Sequence, residues 1–266
     1  MICPMFCVRS IVLFLYLLSC YNNSRKLTQD FDSVWSDMNI IARIYNDFPE
    51  KFGIPRQPGL VEELEGRIVF EPEYRVAEAF RGLEGYSHIW LIWDFSENHR
   101  DGWSPTVRPP HLGGNKRIGV WATRSPFRPN PIGLSLVRLK DIELGGPDGP
   151  VLRVGGADLM NGTPILDIKP YLPYVESIPD ARGGFTDSDE FEELKVEFPD
   201  ELARQVPEGK LEALKGILAQ DPRPHYQADP DRVYGMSFAD LEVGFTVDGD
   251  VLKVVRVAPR DGTGKK

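Results

Sequence analysis

A chain of 266 residues with 41% apolar content can bury one sizeable core plus a smaller appendage. Its net charge of −9 argues against general coating of nucleic acid. All three cysteines, Cys3, Cys7 and Cys20, lie in the first twenty residues, so the rest of the chain has no disulfide framework, no cysteine-based zinc site and no thiol nucleophile. The four histidines, 88, 99, 111 and 225, are too scattered for a metal site.

In chain order, Arg9 precedes IVLFLYLLSC, residues 11–20. This run has the form of a signal peptide and is far shorter than the ~20 residues of a membrane-spanning helix. Short runs with alternating or continuous apolar residues follow and predict strands at 40–45, 67–70, 87–95, 118–123, 132–144 and 151–159, with a helical turn or two at 76–81. Gly82, Asp101-Gly102, Gly113-Gly114 and the GGPDGP of residues 145–150 punctuate them. Regularly spaced strands with little helix predict a mainly β protein with a single-sheet β-barrel core. After Tyr174 the character changes. Residues 176–190 are polar, residues 199–220 have helical spacing that Pro207 must interrupt, and LEVGFTV and VLKVVRV flank Asp248-Gly249, a hairpin signal. The expected division is 1–37 as a signal-like or over-extended segment, 38–184 as the barrel, and 185–266 as a small α/β domain. No strand leads into G-x-G-x-x-G and a helix, and there is no P-loop, so a nucleotide-like ligand is not bound by the Rossmann route.

Charge is distributed unevenly. Residues 100–140 hold eight Lys/Arg against one acid, whereas 186–232 hold thirteen acids against six bases. A basic face on an acidic protein fits a selective polyanion site. Within that face lies RIGVWATRSPFRPNPIGLSLVRL, residues 117–139. Three prolines, Pro126, Pro129 and Pro131, stiffen a loop that presents Arg124, Ser125, Arg128 and Asn130 between two strand-like runs. Such a loop reads as a preorganised polar site.

Three further motifs accompany it: FGIPRQPGL at 52–60, WSPTVRPPHLGGN at 103–115 and NGTPILDIKPYLPY at 161–174. Together the four resemble the TsaA-like family, methyltransferases that act on threonylcarbamoyladenosine in tRNA, over about residues 38–260. The resemblance implies an unusual β-barrel methyltransferase class, S-adenosylmethionine as cosubstrate, a tRNA anticodon stem-loop as partner, a cytoplasmic location and a homodimer with its site near the subunit boundary. Met38, just before the first predicted strand, is read as the true start, which leaves no membrane segment. The rival readings are a noncatalytic RNA-binding β-barrel and, if residues 1–37 are real, a membrane-anchored binding protein.

Methyl transfer from a sulfonium is an in-line displacement that depends on positioning and needs no metal. By the resemblance Gln57, Pro58 and Gly59 of the RQPG turn are cosubstrate contacts, with Gly59 allowing close backbone approach. Phe95 and Ser96 end an apolar strand where ligand contacts are usual. Arg124 can clamp a carboxylate or a phosphate through paired donors; by similarity it and Leu134 belong to the cosubstrate pocket. Asn161, Gly162, Thr163 and Pro164 form a tight turn offering backbone groups and are taken as cosubstrate contacts, although the family motif usually has Asp where this chain has Asn161. Arg117 and Arg128 are the candidates for nucleic-acid phosphate. Asp167, Lys169 and Tyr171 follow at period two, so a strand places all three on one face. The implied target nitrogen is urea-like and calls for a general base, with Asp167 the candidate and Tyr171 the runner-up. A chain beginning at Met38 is expected to fold and to keep full activity, which expression of that form tests directly.

Overall fold

The structure is a computed structural model, and it describes residues 38–99, 102–109, 116–188, 193–223 and 229–260. The three cysteines, His111, His225 and the glycines at 113 and 114 lie outside the described residues.

Six strands close into an antiparallel barrel: β1 (Ala42–Tyr45), β2 (Glu65–Phe70), β3 (His88–Asp94), β6 (Ile132–Glu143), β7 (Val151–Gly155) and β8 (Pro164–Pro170), in the order β1-β2-β7-β6-β3-β8. Two short strands, β4 (Thr106–Val107) and β5 (Ile118–Gly119), pair separately. Alternation explains the wall. Along β3, Ile89, Leu91 and Trp93 point inward and are buried, while His88, Trp90, Ile92 and Asp94 point outward. They meet Ile44, Ile68, Val137, Leu152, Val154 and Ile165 from the other strands in one core. A barrel this narrow is filled by side chains. Register shifts at Ile92/Trp93 and between Leu139 and Asp141 give the strands the bend that closure requires.

The barrel fold is as predicted, and several boundaries differ. The run at 118–123 pairs for only two residues and then turns into a 3-10 helix (Val120–Ala122), because its partner β4 is only two residues long. The run at 151–159 stops pairing at Gly155, and Gly156 adopts φ +73°, which redirects the chain. Residues 76–81 contain a 3-10 helix (Ala77–Phe80).

The C-terminal part holds a four-stranded sheet, ordered β10 (Tyr234–Phe238), β11 (Leu241–Asp248), β12 (Val251–Pro259) and β9 (Lys195–Glu197), with β9 parallel to β12. Asp248 pairs with Val251, so the hairpin turn is Gly249-Asp250. A one-turn helix, α1 (Pro173–Glu176), follows the barrel, and two more, α2 (Asp200–Ala203) and α3 (Leu211–Ala219), flank Pro207 as expected. The second core lies between α3 and this sheet, but it is not confined to the C-terminal residues. Phe48, Val61 and Leu64, from the connection between β1 and β2, are buried in it with Leu214, Met236 and Phe238. A core thus crosses the expected boundary at 184/185 and grips the connection that carries the RQPG turn.

Gly133 shows how the barrel positions its mouth. It pairs directly with Trp93, and a Cβ on it would lie 2.1 Å from the indole. Gly133→Ala is therefore expected to push the ring aside and destabilise the fold by about 1–3 kcal/mol, read as a lowered urea midpoint and altered tryptophan fluorescence.

Candidate active site

The end of β3, the start of β6 and the segment that follows β7 reach the same end of the barrel. There the RQPG connection and the proline-rich loop enclose a cavity of about 350 Å³, a size suited to a small ligand. Four of the expected cosubstrate residues line it: Gln57, Phe95, Arg124 and Leu134. They come from four separated stretches of sequence. Pro55, Arg56, Trp93, Thr123, Arg128, Ile132, Gly133 and Asp158 complete the wall.

The proline-rich loop is held by its own polar groups. The Thr123 hydroxyl donates to Val120 O (2.9 Å), Ser125 N donates to Thr123 Oγ1 (3.3 Å), and Phe127 N donates to Ser125 Oγ (3.3 Å). Phe95 N donates to Pro131 O at 2.9 Å and ties the loop to the end of β3. Arg128 Nη1 donates to the carbonyls of Val120 (3.0 Å) and Thr123 (2.6 Å), and its guanidinium lies 5.3 Å from the Trp121 ring centre. Arg128 thus braces the loop while facing the cavity. Trp121 stacks on Trp103 at 5.5 Å, and both indoles are largely exposed. Arg124 Nη1 donates to Gln57 Oε1 at 2.6 Å, so the two loops meet across the cavity through a neutral partner.

Beyond the cavity wall, Gly59 N donates to Gly156 O at 2.9 Å, and a Cβ on Gly156 would lie 3.1 Å from the Gly59 Cα. The Gly59 backbone passes too closely for a side chain on Gly156, and this contact holds the RQPG turn against the segment leading to Asp158. Pro58 and Ser96 do not line the cavity. Nor does the turn at 161–164. Its groups hold β1 instead: Asn161 N donates to Phe48 O (2.8 Å), Gly162 N to Ile44 O (2.7 Å), and Asn46 N to Asn161 Oδ1 (3.0 Å). A neutral amide oxygen at Asn161 serves that last bond. Arg117 donates to Thr106 Oγ1 at 3.0 Å, outside the cavity.

Asp167, Lys169 and Tyr171 share one face as expected, and that face is the outer wall. Asp167 pairs across to Ile92 and Lys169 to Trp90, both outward residues. Lys169 Nζ lies 2.8 Å from Asp167 Oδ2, and the Tyr171 ring packs beside His88 and Trp90. None of the three lines the cavity. Among the described residues no three His, Cys, Asp or Glu side chains gather as a metal site, and no helix is long and apolar enough to cross a membrane.

Sequence reading passed over Asp158, which lies inside an apolar run. A carboxylate among buried neighbours needs partners, and that was the available signal. Ser135, fully buried on β6, donates its hydroxyl to Asp158 Oδ1 at 2.6 Å and accepts from Trp93 Nε1 at 2.9 Å. Burial pushes the Asp158 carboxyl up from 3.8 to about 6, against the opposing pull of the Ser135 hydrogen bond and the Arg124 charge. Between these two values the folded chain holds a proton that the unfolded chain has released. This group's contribution to stability therefore falls as pH rises through that window and is unfavourable at neutral pH. Asp158→Asn is expected to stabilise the fold by about 1–3 kcal/mol at pH 7.5, with the gain vanishing below pH ~4; thermal melts at the two pH values check this.

The chain matches the tRNA-methyltransferase O N-terminal domain over residues 43–177 and the TrmO C-terminal domain over residues 191–260. It is 43% identical over 229 residues to the tRNA (adenine(37)-N6)-methyltransferase of Escherichia coli K12, covering 83% of this chain and 97% of that protein. It is 48% identical over 178 residues to a protein of the same name from Eikenella corrodens, covering 66% and 99%. The crystal structure of TrmO from Pseudomonas aeruginosa superposes with a TM-score of 0.67 at 36% identity, over 84% of this chain and 98% of that one. With both domains matched in order and nearly the whole length of these relatives spanned, the chain belongs to the TrmO family, the TsaA-like methyltransferases that its motifs resemble.

Proposed function

We propose that this protein transfers a methyl group from S-adenosylmethionine to N6 of threonylcarbamoyladenosine beside the anticodon of tRNA, as a cytoplasmic homodimer. The observation that carries the reading is the meeting of Gln57, Phe95, Arg124 and Leu134 at one barrel mouth. S-adenosylmethionine supplies an electrophilic methyl group on a sulfonium.

The residues present suit that ligand. Arg124, with Gln57 as its neutral partner, offers paired donors to the methionyl carboxylate. Trp93 and Phe95, their ring centres 4.1 Å apart, offer aromatic faces to a cation. Leu134 offers an apolar surface for adenine. Arg128 at the cavity wall suits the threonyl carboxylate of the target or a phosphate. The stacked Trp103 and Trp121 beside it provide flat faces of the kind on which unpaired loop bases stack. A nucleotide in the anticodon loop is presented without melting a helix.

The test is to incubate the protein with labelled S-adenosylmethionine and total tRNA and to analyse the nucleosides. Label in methylated threonylcarbamoyladenosine is expected; tRNA binding with no transfer would instead favour a noncatalytic RNA-binding barrel. Arg124→Ala is expected to weaken cosubstrate binding by roughly 10- to 150-fold, the range for losing a charged hydrogen bond of ~1.5–3 kcal/mol, while leaving the melting temperature nearly unchanged. Calorimetry with S-adenosylmethionine reads the first effect and a thermal melt the second.

A further inference from the structure

The proposed reaction has an unmet requirement. The target nitrogen is flanked by a purine and a carbonyl, both of which withdraw its lone pair, so its proton must leave at or before attack. Asp167 does not answer this requirement. It sits on the outer wall in an ion pair with Lys169, and neither lines the cavity.

Resting on the methyltransferase reading, we propose that Asp158 is the general base of this site, its carboxylate taking the N6 proton of the target nucleoside as the nitrogen attacks the methyl carbon. Electrons and atoms balance. The N–H bonding pair becomes available to nitrogen, and the N–C bond forms. The C–S bond breaks with its pair going to sulfur, which leaves as a neutral thioether. The proton resides on Asp158 and passes to solvent when the products depart.

Three observations carry the assignment. First, among the described residues Asp158 is the sole carboxylate lining the cavity. The other charged groups there, Arg56, Arg124 and Arg128, are guanidiniums, which offer donors and no acceptor. Second, its orientation is set from behind. Trp93 Nε1 donates to Ser135 Oγ, and Ser135 donates to one oxygen of Asp158, so the relay holds that oxygen. Third, Asp158 is partly buried at the cavity wall, with one oxygen held by Ser135. A carboxylate desolvated at a cavity wall is unfavourable for the fold and suited to proton transfer near neutral pH. The groups that face it are Ser135 from β6, Trp93 from β3 through Ser135, and Arg124 from the proline-rich loop. Among the described residues no histidine lines the cavity, so of the described lining groups Asp158 is the one carboxylate that can give an acid limb in the rate.

The experiment is single-turnover methyl transfer to tRNA bearing threonylcarbamoyladenosine, between pH 5 and 8.5, with cosubstrate affinity measured in parallel. For the unaltered protein the rate should rise with unit slope at low pH and level off above about 6. Asp158→Asn should slow transfer by roughly 10²–10⁴-fold, abolish the acid limb and leave cosubstrate affinity within about threefold (~0.6 kcal/mol). Ser135→Ala removes a hydrogen bond that favours the charged carboxyl, so its limb should move to higher pH while the plateau rate recovers. That is an effect a merely structural serine would not produce.

Near-normal turnover by Asp158→Asn would overturn the proposal. So would a rate loss matched by an equal loss of cosubstrate affinity, which would make Asp158 an anchor for the cosubstrate's ammonium group. If the Asn variant does not fold, an unmoved limb in Ser135→Ala overturns it. Absence of any transfer by the unaltered protein would overturn the methyltransferase reading itself, and the Asp158 role with it.

Discussion

The connection between β1 and β2 belongs to two structures at once, and the site depends on that. Its apolar side chains, Phe48, Val61 and Leu64, are buried in the C-terminal core. Its polar turn, Arg56 and Gln57, faces the barrel mouth. Burying a side chain of this size is worth about 1.5–3 kcal/mol, so these three side chains anchor the connection to the C-terminal core. Hydrogen bonds reinforce them: Ala239 N donates to Asp47 O at 2.8 Å, and the Arg56 side chain donates from Nη2 to Asp221 O at 3.1 Å. Val61 also packs where Gly216 of α3 leaves no Cβ, since one there would lie 2.6 Å away. The C-terminal sheet and helix thus hold one wall of a cavity whose other walls are barrel.

The opposite wall is stiffened differently. The proline-rich loop has no core of its own. Fixed φ angles at three prolines, a chain of hydroxyl-to-backbone bonds and the bracing guanidinium of Arg128 take the place of apolar burial. Where the two walls approach, Arg124 and Gln57 join them through one bond between a charge and a neutral amide. That pairing leaves the guanidinium's charge uncompensated by a carboxylate at that contact, which suits it to an anionic ligand.

Between the walls, the floor of the cavity is strained in an electrostatic sense. Asp158 is held away from water, and its ionised form is disfavoured in the folded state. Proteins keep such groups chiefly where chemistry uses them. The Trp93–Ser135–Asp158 relay gives this floor a fixed geometry, and Gly133 makes room for the indole that begins it.

The strands of the barrel were legible because period-two alternation, as in HIWLIWD, reports a wall with one buried face. The period-two set Asp167, Lys169 and Tyr171 was equally legible as one face, but alternation does not say which side of a closed barrel a face looks toward. That depends on register, and pairing with Ile92 and Trp90 puts it outside. Gln57, Arg124 and Leu134 were assigned through the family resemblance, and Phe95 through its place at a strand end. The turn at 161–164 was read as a ligand loop because its composition suits either task, and only its bonds to β1 show what it holds. Asp158 was hidden in an apolar run, since a buried carboxylate acquires meaning only from partners distant in sequence. The sequence by itself determined most of the strands and the stiff loop, because these rest on local periodicity and composition, and its four motifs carried the family resemblance. The tertiary structure decided which of the candidate groups share a cavity, because that depends on barrel closure and on a second core gripping a loop of the first.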